Sequence, residues 1–186
     1  MPIDKATIEA LNKHLFPDHQ ENNTYAVLDA AAVPNLELPK LLWRHRPENV
    51  CLYRGELAPD LAATAPYLIK LEKDHPFTEL LLKDGWGNHW GIFAITPKAS
   101  DLKTMRLHFR KFLMVTSPEN KPLYFRYYDP RVLRVYLPTC NKEELNIVFG
   151  SILSFMLEDE NPGTLLAFSP KDNGKFLQTQ KIRVSQ

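Results

Sequence analysis

The stretch Leu123 to Pro138, LYFRYYDPRVLRVYLP, restricts the fold of this chain more than any other segment. Its first half, Leu123 to Tyr128, is dense in aromatic residues around a single Arg126, the composition of a buried or half-buried strand. Asp129-Pro130 then changes the local rules. Asp is a good helix N-cap and Pro is favoured at the first helical position, so Val132 to Leu137 reads as a short helix closed by Pro138. Arg131 falls in the first turn, where the helix dipole disfavours a cation. A guanidinium placed there needs either a carboxylate inside the fold or a group on a partner.

A chain of 186 residues that is 44% hydrophobic and 11% aromatic can build one sizeable core, which predicts a single domain. Lys plus Arg is 23 against 22 for Asp plus Glu, a balance that argues against a nucleic-acid footprint. The two cysteines, Cys51 and Cys140, lie in no CxxC or ligand-like spacing, so a reduced, cytoplasmic chain is expected in place of a disulfide scaffold. The N-terminus MPIDKATIEALNKHLF has acids interspersed and no apolar core, unlike a signal peptide. The longest apolar-rich run, Ile147 to Leu157, is too short and too interrupted to span a bilayer. The 15 prolines are scattered as punctuation and no repeat is visible.

Several local signals place the elements. Asp4 caps a helix over residues 4 to 15, with Ile3 and Ile8 as a hydrophobic staple and Ile8, Leu11 and Leu15 on one face. A polar loop follows from Pro17 to Thr24, then a strand from Tyr25 to Leu28 ended by Asp29. A short helix lies within Pro34 to His45, and Cys51 to Tyr53 reads as a strand before a turn at Gly55. Tyr67 to Leu71 is a strand. Phe77, Leu80 and Leu81 form a helical stripe that stops before Gly85, a C-cap. Trp86 to Ile95 reads as a turn feeding a buried strand, in which Gly85, Gly87 and Gly91 mark bends or close approaches. Ser100 or Asp101 caps a helix with Leu102, Met105, Phe109 and Phe112 on one face, and Arg106 and Arg110 off it. Leu113 to Val115 and Leu123 to Tyr128 form a hairpin around SPENKP. Asn141 and Glu144 make a capping box, with Cys140 and Leu145 as a staple, for a helix ending before Gly150. Ile152 to Leu157 and Leu165 to Phe168 form a second hairpin around Glu158 to Gly163. From Lys171 a polar tail follows, in which Ile182 and Val184 alternate like a weak strand.

Strands and helices alternate and then strands pair directly, so the fold class is α+β: a mixed, partly antiparallel sheet with helices packed on it. The division of the chain is an N-terminal helix and loop over 1–24, one domain over 25–170 and the polar tail over 171–186.

Catalytic chemistry has little to build on. Six histidines, His14, His19, His45, His75, His89 and His108, show no metal-ligand spacing, and no HExxH, GxSxG, GxGxxG or P-loop pattern occurs. No cofactor, metal or small-molecule substrate is therefore expected. Cys140 before a helix N-terminus is a nucleophile only if a distant His approaches it, and reads more simply as a small staple residue. The run Glu158, Asp159, Glu160 beside Asn161-Pro162-Gly163 reads as a solvated turn, not a carboxylate pair. Two readings of Arg126 and Arg131 stand side by side. In one, Asp129 caps its helix and the arginines pair with buried carboxylates such as Asp29. In the other, they lie among tyrosines on a binding surface, the residue types enriched at interface hot spots. Trp43, Trp86 and Trp90 supply further anchors or core.

FRYYDPRVLRVYLP resembles the signature of the bacterial type VI secretion adaptor/chaperone family, long catalogued as a domain of unknown function. TYAVLDAA resembles that family's opening strand, CLYRGELAPDLAATAPYLIKL its strand and Gly turn, and WGNHWGIF its Trp-Gly strand. LHFRKFLMV and VFGSI resemble its HLR-type helix and Phe-Gly turn, so the likeness runs in order from Tyr25 to Phe168. It implies a non-enzymatic cytoplasmic protein that binds a secreted effector and brings it to the VgrG spike or a PAAR-type tip. The candidate binding residues are Arg126, Arg131, Tyr128, Trp90 and Arg110, with structural roles expected for Asp129, Pro130, Gly85, Gly91 and Gly150. Partners would be the effector and a spike component, with no nucleic acid and no membrane. The chain departs from many members in ending soon after the shared domain. An immunity-type toxin-binding protein and, less directly, a small hydrolase are the alternatives.

Overall fold

The computed structural model describes residues 3–17, 21–117, 119–172 and 174–185. Residues 18–20, with His19, and Pro118 of the SPENKP loop lie outside the described residues. In chain order the helices are α1 (Lys5–Leu15), α2 (Leu38–His45), α3 (Pro59–Thr64), α4 (Pro76–Leu80), α5 (Leu102–Arg110), α6 (Pro130–Tyr136) and α7 (Lys142–Phe149). The strands are β1 (Asn22–Asp29), β2 (Asn49–Cys51), β3 (Pro66–Leu71), β4 (Gly91–Pro97), β5 (Met114–Thr116), β6 (Pro122–Tyr124), β7 (Ser154–Glu158), β8 (Thr164–Lys171) and β9 (Phe176–Arg183).

Seven strands form one sheet in the order β2-β3-β1-β4-β7-β8-β9, and β5 and β6 form a separate two-stranded hairpin. The α+β class stands. The expected mixture of directions resolves entirely one way, because every pair between described strands is antiparallel. β1 is central, pairing β3 on one side (Ala26 opposite Ile69) and β4 on the other (Ala26 opposite Phe93).

Both faces of the sheet are covered, which explains why YAVL, Tyr25 to Leu28, reads as an unbroken apolar run. Side chains alternate across it: Ala26, Leu28, Phe93 and Ile95 enter one core with Leu11, Leu15, Leu42, Phe77 and Leu82. Tyr25, Val27, Ile92 and Ala94 enter the other with Met105, Phe109, Leu133, Leu145 and Phe149. Helices α1, α2 and α4 therefore lie on one side and α5, α6 and α7 on the other.

The chain ends are part of this body. Leu11 and Leu15 of α1 are completely buried, and β9 pairs β8 along its whole length, from Thr164 opposite Arg183 to Lys171 opposite Phe176. The polar tail is thus largely an edge strand. Its polarity follows from position, since an edge strand with one solvated face has few apolar requirements.

Caps explain where the clearest helices begin. The Asp4 carboxylate accepts from Thr7 N at 2.7 Å, Asp101 from Thr104 N at 2.8 Å, and Asn141 with Glu144 forms the complete capping box. Several expectations fail. β1 begins at Asn22, inside the loop expected to run to Thr24, and β2 is Asn49–Cys51 in place of Cys51 to Tyr53. The aromatic stretch Leu123–Tyr128 is not one buried strand: β6 stops at Tyr124, Leu123 and Tyr124 are exposed, and the chain turns inward only at Tyr127 and Tyr128. Gly85 is not a left-handed C-cap. It closes a five-residue π turn, Leu81–Gly85, and a Cβ there would stand 2.9 Å from both the Trp90 ring and Leu81.

Gly91 and Gly150 are required for distinct reasons. A Cβ on Gly91 would run into the Val27 carbonyl oxygen of the neighbouring strand. Gly150 ends α7 at φ 53° beneath His108, whose ring would lie 2.7 Å from an added Cβ.

Candidate functional site

Antiparallel pairing brings the end of β1, the start of β4 and the end of β7 to one edge of the sheet, and the Asp129-Pro130 turn packs beside it. Three charged pairs or cradles gather there. Asp129 opens α6 as its N-cap, accepting from Arg131 N at 2.9 Å, while the Arg131 guanidinium returns to the same carboxylate with Nε at 3.0 Å and Nη2 at 2.7 Å. The awkward first-turn cation is thereby explained: its own cap neutralises it. Burial opposes ionisation of Asp129, but the hydrogen bonds from Arg131 and the charges of Arg131 and Arg126 outweigh it, and the carboxyl lies below its ordinary range.

Arg126 donates Nη2 to Asp29, a carboxylate buried at the end of β1 whose Oδ1 also accepts from Ala31 N at 3.0 Å. The hydrogen bond to Asp29 holds the Arg126 guanidinium firmly protonated. Asp29 N in turn donates to the Trp90 carbonyl at 2.8 Å. Arg126 thus ties the turn to the sheet and Arg131 locks the turn on itself, and each keeps about half of its side chain in solvent.

Glu158 overturns its reading as a solvated turn. Only 3% exposed, it is wrapped by the Gly87–His89 turn: Gly87 N and His89 N (3.1 Å) donate to its carboxylate, and His89 Nδ1 abuts Oε1. Burial raises its pKa, against the opposing pull of these donors and of His89. His89 sits at φ 59°, a conformation that costs a side chain energy and that the carboxylate stabilises by accepting from its amide. Trp86 Nε1 adds a bond to Pro162 O at 2.7 Å, so the β7–β8 loop and the β4 entry are clasped together. The signal for this was strand parity. Met156 faces the first core, so Glu158, two residues on, faces it too.

The remaining expected binding residues divide. Tyr128 and Trp90 are 4% and 6% exposed, both interior, so neither presents a ring to a partner. Tyr128 stacks edge-on with Tyr127, and burial pushes its phenol up. Trp90 packs where Gly85 and Leu81 leave room. Arg110 is half-buried and holds the end of β2, donating Nε to Leu52 O and Nη2 to Tyr53 O, both at 2.7 Å. Cys140 is half-buried; its thiol donates to Tyr136 O at 3.5 Å, and burial raises its pKa, the reverse of helix-terminus activation.

Beside the turn lies a feature that patterning alone did not single out. The β5–β6 hairpin exposes Met114, Val115, Leu123 and Tyr124, the last 67% accessible, and its Met114–Tyr124 face meets Leu57 and Leu61 across a groove of about 370 Å³. Tyr124 and Tyr53 rings approach at 5.7 Å along its wall.

These elements define a class: a helix-covered antiparallel sheet with a charge-locked Asp-Pro-Arg turn at one end and an exposed apolar hairpin next to it. The chain belongs to the family described as Domain of unknown function (DUF4123), whose model matches residues 24–146. The match contains the opening strand, the Gly55 turn, the Trp-Gly strand and the whole Asp-Pro-Arg turn, and ends before the Phe149-Gly150 turn and β7, short of the likeness expected as far as Phe168. No curated protein and no solved structure gives a significant match to this chain. Among the described residues no helix is long and apolar enough to cross a membrane.

Proposed function

We propose that this protein is a cytoplasmic adaptor/chaperone that binds a type VI secretion effector and promotes its loading onto the VgrG spike or its PAAR tip, without itself catalysing a reaction. The reading begins from the ordered likeness of the motifs to that adaptor family, and family membership over 24–146 agrees with it at the coarser level. The observation that carries it is the surface beside the Asp-Pro-Arg turn. A hairpin outside the main sheet keeps four large apolar side chains in solvent, of which Met114 and Tyr124 share a groove with Arg54 and Arg110. Exposed apolar groups clustered with tyrosine and arginine are what a protein-binding face requires.

The locked turn has a supporting role in this reading. Arg131 and Arg126 satisfy interior carboxylates, so the recognition face is built around a rigid corner, and rigidity lowers the entropic cost of docking. The test is co-purification of the chain with the product of the adjacent effector gene and with the spike protein. Stable complexes with the effector support the reading, and retention of neither protein refutes it.

A further inference from the structure

The groove between α3 and the β5–β6 hairpin has an electrostatic character as well as an apolar one. Its floor is Leu52 and Leu113, both buried, and Leu57, Leu61 and Met114 supply its walls. Two cations line it, Arg54 and Arg110, and no carboxylate does. Among the described residues, neither arginine has an acidic side chain within ion-pair distance. Arg110 is held in place by the Leu52 and Tyr53 carbonyls, so its guanidinium cannot swing away to find one. Burial and the like charges of Arg106 and Arg54 act against its protonated form. The contrast with the neighbouring turn is sharp: Arg126 and Arg131 each have a carboxylate, and the groove arginines have none among the described residues.

We propose that this groove is a docking site for an apolar segment of a protein partner flanked by carboxylate side chains. The apolar residues fill the space between Leu61 and Met114, and the carboxylates meet Arg54 and Arg110. On the adaptor reading, on which this identity of the partner rests, the segment belongs to the effector. Charge complementarity selects such a segment over a basic or uniformly apolar one, because a like charge here adds to an existing repulsion. Binding therefore weakens with rising salt.

Anilinonaphthalene sulfonate, an apolar body bearing one anion, probes the groove without reference to any partner. The full chain is titrated with it by fluorescence and compared with Leu61→Asp and Arg54→Glu, both changes at exposed positions, and with Ile147→Asp at an exposed position of α7 as a control. Wild type and the control are expected to bind alike, and each groove variant to lose about tenfold in affinity, equivalent to the loss of one good contact. Equal binding by all four proteins, or none by wild type, overturns the proposal, with unchanged melting temperatures excluding unfolding. The same variants are then mixed with the effector. If wild type and groove variants retain it equally, the groove assignment fails and the adaptor reading survives. If the dye behaves as expected and wild type retains no effector, the adaptor reading fails and the groove remains a site for acidic apolar segments.

Discussion

Replacing Asp129 separates the contributions that meet at the Asp-Pro-Arg turn. Asp129→Ala removes the cap bond to Arg131 N at 2.9 Å and both arms of the fork, at 3.0 and 2.7 Å. Loss of an N-cap costs about 1 kcal/mol. The ion pair, with Arg131 half in solvent, adds about 0.5–1 kcal/mol after screening. The total is about 2 kcal/mol, or roughly 4–8 °C in Tm for a chain of this size. Asp129→Asn keeps an acceptor for the cap but turns an amide donor toward Arg131, so about 1 kcal/mol is lost. Arg131→Ala keeps the cap entirely and costs about 0.5–1 kcal/mol.

The pH dependence has a definite sign. Despite the burial that opposes ionisation, Arg131 and Arg126 hold the Asp129 carboxyl below its ordinary value of 3.8. The folded state then binds its proton less readily than the unfolded chain, so the stabilisation is complete above that value and disappears as pH falls through the folded pKa. The gap between wild type and Asp129→Asn should be full at neutral pH and close in acid. Urea denaturation followed by circular dichroism at several pH values measures both quantities. If Arg131→Ala destabilises as much as Asp129→Ala, the cap contributes nothing; if Arg131→Ala costs nothing, or the gap is independent of pH, the fork is not what orders this turn.

Three further perturbations test the rest of the corner. Arg126→Ala leaves Asp29 buried with the Ala31 amide as its remaining donor, and should cost about 1–2 kcal/mol; adding Asp29→Asn should restore part of that in urea melts, and no restoration refutes the pairing. Gly91→Ala pushes a methyl into the Val27 carbonyl and should cost roughly 3 kcal/mol or more, seen as loss of soluble protein, whereas a normal melt contradicts the strand spacing. Burial raises the Glu158 carboxyl above its ordinary 4.5, so the folded state binds that proton more readily. Its contribution is therefore fully present below 4.5 and lost as pH rises through the folded pKa. In a His89→Asn background, wild-type Glu158 should gain stability relative to Glu158→Gln as pH falls from neutral toward that value; a gap independent of pH places the carboxylate in a solvated loop.

Much of this corner is readable from residue order. Local signals carry their own geometry, so the Asp4, Asp101 and Asn141 caps and the Asp129-Pro130 start of α6 follow from side chains reaching amides two or three residues away. The pairing of an arginine with Asp29 was also accessible, since a carboxylate at the end of a buried strand needs a cation. What could not be read depends on distant segments. The Leu123–Tyr128 composition says strand, but the chain leaves the hairpin after Tyr124 and Tyr127 enters the core against Phe109 and Phe112, as its ring contacts show. Glu158 lies next to Asn-Pro-Gly turn chemistry, and only a turn some seventy residues earlier in the chain, Gly87 to His89, makes it an interior group. The groove belongs to the same category, because α3 and the hairpin meet across more than fifty residues of sequence.

The central claim, that the chain delivers an effector and does not act on a substrate of its own, is tested most directly in a secretion assay. A strain lacking this protein is compared with wild type for export of the effector encoded beside it and of the spike protein. The account predicts that effector export is lost, that the spike is still exported, and that the wild-type chain restores delivery while Leu61→Asp does not. Unchanged effector export in the deletion strain contradicts it.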